Sequence, residues 1–402
     1  MIYLDNAATT RPAPEVVEAM LPYLTECYGN PSAIYSLGSS VKKAVNRARR
    51  TIAGAIGAAQ EEIFFTAGGT EADNWALKAA AGACRDKGKH IITTKIEHHA
   101  VLDSGRYLET QGFEVTYLDV DREGLVDPAA LKAAIRPDTI LISVMFANNE
   151  IGTLEPIQEI GTLARERGIL FHTDAVQAFG QIPIRVDELP VDMLSASGHK
   201  INGPKGIGFL YVRSGLNVPP FLHGGAQERK RRAGTENVAG IVGLEAAVAR
   251  AMRIMEEKTE RERALRDYLI RRIEEEIPYC RLNGHRTRRL PGNVNFSFRF
   301  VEGESMVLML DRKGICASSG SACTSGDLDP SHVLLAIGLS AEEASGSLRM
   351  TLSEENTKDE MDSVVESIKE IVSKLREMSS AYTAFLRREG EAEVFASEVL
   401  AK

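Results

Sequence analysis

From residue 63 to residue 212 the chain alternates short apolar runs with segments of helix length. Ile63-Phe-Phe-Thr, Ile91-Ile-Thr-Thr, Val115-Thr-Tyr-Leu, Ile140-Leu-Ile-Ser-Val-Met-Phe, Ile169-Leu-Phe-His-Thr, Asp192-Met-Leu-Ser-Ala and Ile207-Gly-Phe-Leu-Tyr-Val make seven strand candidates. This alternation predicts an α/β fold with a mainly parallel seven-stranded sheet covered by helices on both faces. Upstream, helical periodicity runs from Glu15 to Glu26 and stops at the turn signal Gly29-Asn-Pro-Ser, which puts Asn30 on a loop. An amphipathic helix follows from Leu37 to Ile56, and another helical stretch covers about 238–277. Beyond it lie strand-like Asn293-Val-Asn-Phe-Ser-Phe, a helix near Ser305 to Leu310, a strand from Ser347 to Leu352 and a long helix from Thr357 to Met378. Strands and helices mixed at this length predict a smaller α+β domain.

A chain of 402 residues exceeds the size at which one core usually stops growing. The division expected is an N-terminal segment 1–15 docked on the small domain, a large domain 16–260 and a small domain 261–402. The last of these carries a small-residue loop around Cys323 and a helix-prone, charged tail.

In parallel sheets of this kind, ligands collect beyond the carboxyl ends of the strands. Gly69, Thr70, His98, Asn149, Asp174 and Lys200 all fall just after predicted strand ends. A lysine is almost wholly ammonium at neutral pH, so Lys200 has a chemical use only if its surroundings make it a nucleophile and a bound aldehyde awaits it. Pyridoxal phosphate supplies that aldehyde through a Schiff base, and needs an acidic partner for its pyridine nitrogen and a cradle for its phosphate. Asp174 closes an apolar run, and Thr66-Ala-Gly-Gly-Thr-Glu-Ala-Asp-Asn joins a strand to a helix. Singly these are ordinary features: a solvated turn lysine, a helix-capping aspartate, a glycine turn. Their combination in this order points to the cofactor.

Composition narrows the class further. A net charge of −8 argues against a general nucleic-acid binder, and the one dense basic run, Arg229-Lys-Arg-Arg, reads most simply as a solvated loop. No apolar run approaches the roughly 18 residues of a membrane span, and no charged-then-apolar leader opens the sequence, so a cytoplasmic location is expected. The five cysteines are scattered and never form C-x-x-C, which fits a reducing compartment. No histidine spacing points to a metal site. Cys323 sits in Cys316-Ala-Ser-Ser-Gly-Ser-Ala-Cys-Thr-Ser, among side chains too small to anchor a loop by packing. A lone cysteine is usually a buried small hydrophobe; a thiol on such a loop can move and act as a nucleophile.

Ten stretches together resemble the cysteine desulfurases of the NifS and IscS type, aminotransferase-like enzymes of fold-type I. They include Tyr3-Leu-Asp-Asn-Ala-Ala-Thr-Thr, Gly29-Asn-Pro-Ser, Glu97-His-His-Ala-Val-Leu, Asn148-Asn-Glu-Ile-Gly, Asp174-Ala-Val-Gln, Ser197-Gly-His-Lys, Arg232-Ala-Gly-Thr-Glu-Asn and Leu348-Arg-Met-Thr-Leu. The resemblance implies that Lys200 holds pyridoxal phosphate and then moves protons, that Asp174 pairs with the pyridine nitrogen, and that His98 stacks on the ring and exchanges protons. It implies Gln177 and Asn149 near the ring hydroxyl, and Gly69, Thr70, Ser197 and His199 on the phosphate, with Thr235 added by the second subunit of a homodimer. Arg349 would clamp the substrate carboxylate, with Asn30 assisting.

The implied reaction takes sulfur from L-cysteine onto Cys323 as a persulfide, releases L-alanine, and passes the sulfur to an acceptor such as an iron-sulfur scaffold. Cys323 could also serve as a transient cluster ligand. The chain departs from the family's glycine-rich run at Ala226 and Lys230, and His99 stands where lysine or proline is common. Rival readings are a selenocysteine lyase or aminotransferase on the same fold, and a non-catalytic adaptor. An adaptor has no need of Lys200, Asp174, Cys323 and Arg349 together.

Overall fold

A computed structural model describes residues 1–319 and 330–388. The strands in chain order are β1 (Ile2–Tyr3), β2 (Ile63–Thr66), β3 (His90–Thr94), β4 (Glu114–Leu118), β5 (Thr139–Ser143), β6 (Leu170–Asp174), β7 (Met193–Ser197), β8 (Gly208–Val212), β9 (Cys280–Leu282), β10 (Asn293–Phe298), β11 (Ile315–Cys316) and β12 (Ser347–Thr351). All seven expected strands lie in one sheet, ordered β2-β8-β7-β6-β5-β3-β4. Neighbours from β7 to β4 run parallel, whereas β8 is antiparallel to both β7 and β2. Strands β2, β3, β5, β7 and β8 are buried at every position, because helices cover both faces. One run is shorter than expected: β5 ends at Ser143, although the Val144 and Phe146 amides still donate to His172 O and Asp174 O of β6 at 3.1 and 2.8 Å.

Two apolar clusters flank this sheet. One joins helix Ser36–Ile56 through Ala48, Ile52 and Ile56 to Ile142, Phe171 and Phe209; the other packs Trp75, Ala76 and Leu77 of helix Gly69–Ala83 on Ile91, Leu141 and Leu210. A third gathers β10 and β12 with helices Gly303–Arg312 and Lys358–Glu377. Leu4 is fully buried in this third cluster, and β1 pairs parallel with β11. A single helix of 39 residues, Val238–Glu276, gives Leu244, Ala247 and Val248 to the first cluster and Leu269, Ile270 and Ile273 to the third. At 1.5 Å per residue it spans roughly 58 Å, enough to tie the two cores to one rod.

The basic run is only in part the solvated loop expected: Arg229 and Lys230 are exposed, yet the run is tied to the fold. Arg229 lays its guanidinium 4.1 Å over Phe64, and Arg232 pairs with Glu71 at 2.7 Å. Glu228, Arg229 and Lys230 all take positive φ, at 44°, 57° and 66°, where side chains other than glycine are disfavoured. A buried fork holds the turn: Glu228 accepts from Arg49 at 2.6 and 2.8 Å and from the Phe65 amide at 3.0 Å. Side-chain bonds thus do here what glycine would do by conformational freedom.

Candidate active site

Strands β6 and β7 lie side by side, with Asp174 in register with Ser195. Their ends therefore deliver Asp174 and, one turn beyond Ser197, Lys200 to the same place. Lys200 Nζ donates to the carbonyl of Ala8 at 2.8 Å and also to that of Ala7, both in the N-terminal segment. Asp174 is buried and accepts from the Val176 amide at 2.8 Å. Burial raises its carboxyl above the usual range, while that amide and Lys200 pull it back. Asp73, one turn into helix Gly69–Ala83, lines the same cavity and is 1% exposed. Burial first, then the charge of Asp174, lifts Asp73 far above an ordinary carboxylate. Beside it His172 is held neutral by burial, with Ser143 at 2.9 Å and Ser195 at 3.0 Å on its two ring nitrogens.

Another part of the cavity lining is built from donors. Helix Gly69–Ala83 starts at Gly69 and Thr70, so its unpaired amides and positive dipole end face the space. Ser197 and His199 line it from the β7 turn. A side chain at Gly69 would place Cβ 2.5 Å from Val176 Cγ2, so the packing of the helix start on Val176 favours glycine there.

His98 and His99 are separated by the start of helix His99–Thr110. His98 caps it, its Nδ1 accepting from the Ala100 amide at 3.1 Å, which leaves the neutral ring's proton on Nε2. Its ring lines the cavity, whereas His99 turns away to lie 4.8 Å from the ring of His332. Burial, then Lys200 and His99, pull His98 down to about 4. The folded value lies below the unfolded one, so this contribution to stability is complete above about pH 6.5 and is lost as pH falls through 4. Urea midpoints taken at pH 7.5 and 5 are expected to show wild type losing roughly 2 kcal/mol more than His98→Gln; equal losses would contradict the buried, neutral ring.

Arg349 enters from β12, 3% exposed, with Asn149 and Gln177 on the same cavity wall. Ten of the expected residues, Gly69, Thr70, His98, Asn149, Asp174, Gln177, Ser197, His199, Lys200 and Arg349, thus share one cavity of about 430 Å³. Asn30 does not line it: it is exposed on its loop and accepts from the Ser32 amide at 2.9 Å. Thr235 is exposed and also away from the cavity of its own chain. Cys323 lies outside the described residues. Asp5, Asp73 and Ser318 line the cavity without having been singled out. All three stand inside the family-like stretches, and the i to i+4 spacing of Gly69 and Asp73 on a helix is the available signal for Asp73.

The donor set suits pyridoxal phosphate: a primary amine for the aldehyde, a buried carboxyl for the ring nitrogen and a helix start with hydroxyl and imidazole for the phosphate.

Comparison with known proteins agrees. Residues 2–364 match the family described as aminotransferase class-V. A protein named cysteine desulfurase IscS from Methanosarcina thermophila is 59% identical over 378 residues, 94% of this chain and 93% of the relative. A solved NifS-like protein superposes with a TM-score of 0.87 at 37% identity, covering 92% of this chain and 99% of its own. A structure described as SspA in complex with cysteine gives 0.79 at 38% identity, covering 88% and 99%. The chain belongs to the class-V aminotransferases and, within them, to the pyridoxal phosphate-dependent cysteine desulfurases.

Proposed function

We propose that this chain removes sulfur from L-cysteine, releasing L-alanine and leaving a persulfide on Cys323. The observation that carries the reading is the convergence of Lys200, Asp174 and Arg349 on one cavity that a helix N-terminus also lines. The kinship with cysteine desulfurases and with a structure holding cysteine supports it.

When bound, pyridoxal phosphate supplies an electron sink that stabilises negative charge at the substrate's α-carbon. Asp174 holds the negative charge that keeps the ring nitrogen protonated. Gly69, Thr70, Ser197 and His199 bind the phosphate, and Thr235 reaches it from the second subunit of a homodimer. Lys200 tethers the cofactor and afterwards carries the α-proton. His98, neutral at working pH with its proton on Nε2, offers one site for proton exchange over the ring. Gln177 and Asn149 orient the ring, while Arg349, assisted by Asn30, clamps the substrate carboxylate. The Cys323 thiolate then attacks the substrate sulfur: the carbon–sulfur bond breaks, a sulfur–sulfur bond forms, and the carbon takes up a proton to become the methyl group of alanine.

The division into segments 1–15, 16–260 and 261–402 belongs to the same proposal, with the last carrying the cysteine loop and a docking tail. An acceptor protein such as an iron-sulfur scaffold then takes the sulfur in the cytoplasm, and Cys323 is the residue that could touch a nascent cluster. No helix among the described residues is long and apolar enough to cross a membrane. Mass spectrometry after L-cysteine treatment tests the reading. A gain of one sulfur atom on the Cys323 peptide, with alanine formed in equal amount, is expected; an unmodified Cys323 in cofactor-loaded, alanine-producing protein refutes it.

A further inference from the structure

Residues 4–10 form a strap between the two sides of the cavity. On one side its backbone is stitched to β11 and β12: Leu4 N donates to Cys316 O at 2.8 Å, Thr351 N to Leu4 O at 2.6 Å, and Ala7 N to Thr351 Oγ1 at 2.8 Å. On the other, Thr10 N donates to His199 O at 2.9 Å, and Ala8 O accepts from Lys200 at 2.8 Å. Asp5 sits in this strap opposite Thr351, and its carboxylate meets Arg349 Nη2 at 3.0 Å. Arg349 Nη1 donates to Asn149 O at 3.2 Å, and its backbone exchanges hydrogen bonds with Ser318 at 2.7 and 3.1 Å. Its Nε, buried, has no hydrogen-bond partner among the described residues. A guanidinium carries more N–H donors than Asp5 and Asn149 use. A set of directed, unused donors is therefore left in the cavity.

We infer that Asp5 is a positioning residue for Arg349: it fixes the guanidinium so that the remaining N–H groups meet the carboxylate of an α-amino acid. The inference rests on the proposed reading of Arg349 as the carboxylate clamp. Two roles for Asp5 oppose each other. As an anion it repels the incoming carboxylate; as a fixed acceptor it holds a long, rotatable side chain in one orientation. The strap decides between them, because backbone bonds through Leu4, Asn6 and Ala7 keep Asp5 in place. A carboxylate anchored in this way does not trade places with the substrate; it orients the donors that the substrate uses. Those backbone bonds do not involve the Asp5 side chain, so its loss leaves the strap seated.

Full-length, cofactor-loaded Asp5→Ala and Asp5→Asn test this, with L-cysteine as substrate and cysteamine, which lacks the carboxylate, as the probe whose binding is read from the cofactor's visible band. Asp5→Ala is expected to raise KM for L-cysteine about tenfold, with kcat within about threefold and cysteamine binding within about twofold. Asp5→Asn, which keeps an acceptor oxygen and the shape, is expected to recover most of that loss. If Asp5→Ala folds poorly, Asp5→Ser, which has no carboxylate to reach Arg349, takes its place with the same expected rise in KM. A KM for Asp5→Ala within twofold of wild type, a KM that falls in both variants, or an equal loss of cysteamine binding would overturn the inference. If Arg349→Ala left KM for L-cysteine unmoved, the clamp itself, and the Asp5 role with it, would be wrong. An unmoved KM in the Asp5 variants alone leaves the clamp standing.

Discussion

Replacing Lys200 by alanine is expected to lower kcat/KM for L-cysteine by at least about a thousandfold, roughly 4 kcal/mol of transition-state stabilisation. Lys200 reaches the cavity from the β7 turn, beside Asp174 at the end of the neighbouring strand, and in the proposed mechanism its amine is both tether and proton carrier. The variant keeps Gly69, Ser197 and His199 and should still bind the phosphate, because the helix start that faces it is untouched. Its visible band should therefore change while cofactor remains associated. Borohydride reduction of native protein followed by peptide mapping should find the cofactor on Lys200; recovery on another lysine would sink the assignment.

Cys323→Ala is expected to cut sulfide release from L-cysteine by at least about a hundredfold while leaving the cofactor's visible band, and its response to L-cysteine, close to wild type. The separation of the two readouts follows from the division of labour. Lys200, Asp174, His98 and Arg349 line one cavity, and in the proposed mechanism that cavity acts on the amino acid while Cys323 acts only on its sulfur. Two of the described cysteines, Cys84 and Cys280, are poor substitutes. Cys84 is buried, and burial raises its thiol; burial also pushes Cys280 up to about 11, away from the thiolate that attack requires. Sulfide release at the wild-type rate from the variant would remove the persulfide step altogether.

Lys200 stands beside Asp174 in the cavity, whereas Cys323 belongs to a small-residue stretch of the sequence. The turn at Glu228 to Lys230 shows how a departure from the family pattern is absorbed. Where glycines are common, this chain uses a buried Arg49–Glu228 fork. Removing one partner of such a pair leaves an uncompensated buried charge.

What the sequence determined by itself was local in origin. Apolar runs such as Ile63-Phe-Phe and Ile140-Leu-Ile are strand-length and separated by helical periodicity, so the sheet could be read from spacing alone. In a parallel sheet, residues just past strand ends share one edge, which is why Gly69, His98, Asp174 and Lys200 could be grouped before any contact was known. The tertiary structure decided what periodicity does not encode: which distant groups meet and which way a side chain turns. Asp5 and Arg349 are 344 residues apart, and Arg49 and Glu228 are 179 apart, and neither pairing leaves a mark in a local window. His98 and His99 are indistinguishable by composition; the helix start between them sends one ring into the cavity and the other onto His332. Asp73 reads as one helical carboxylate among many until packing sets it, dry, next to Asp174. Burial is a property of residue type and period, whereas the identity of a partner depends on how the whole chain crosses itself.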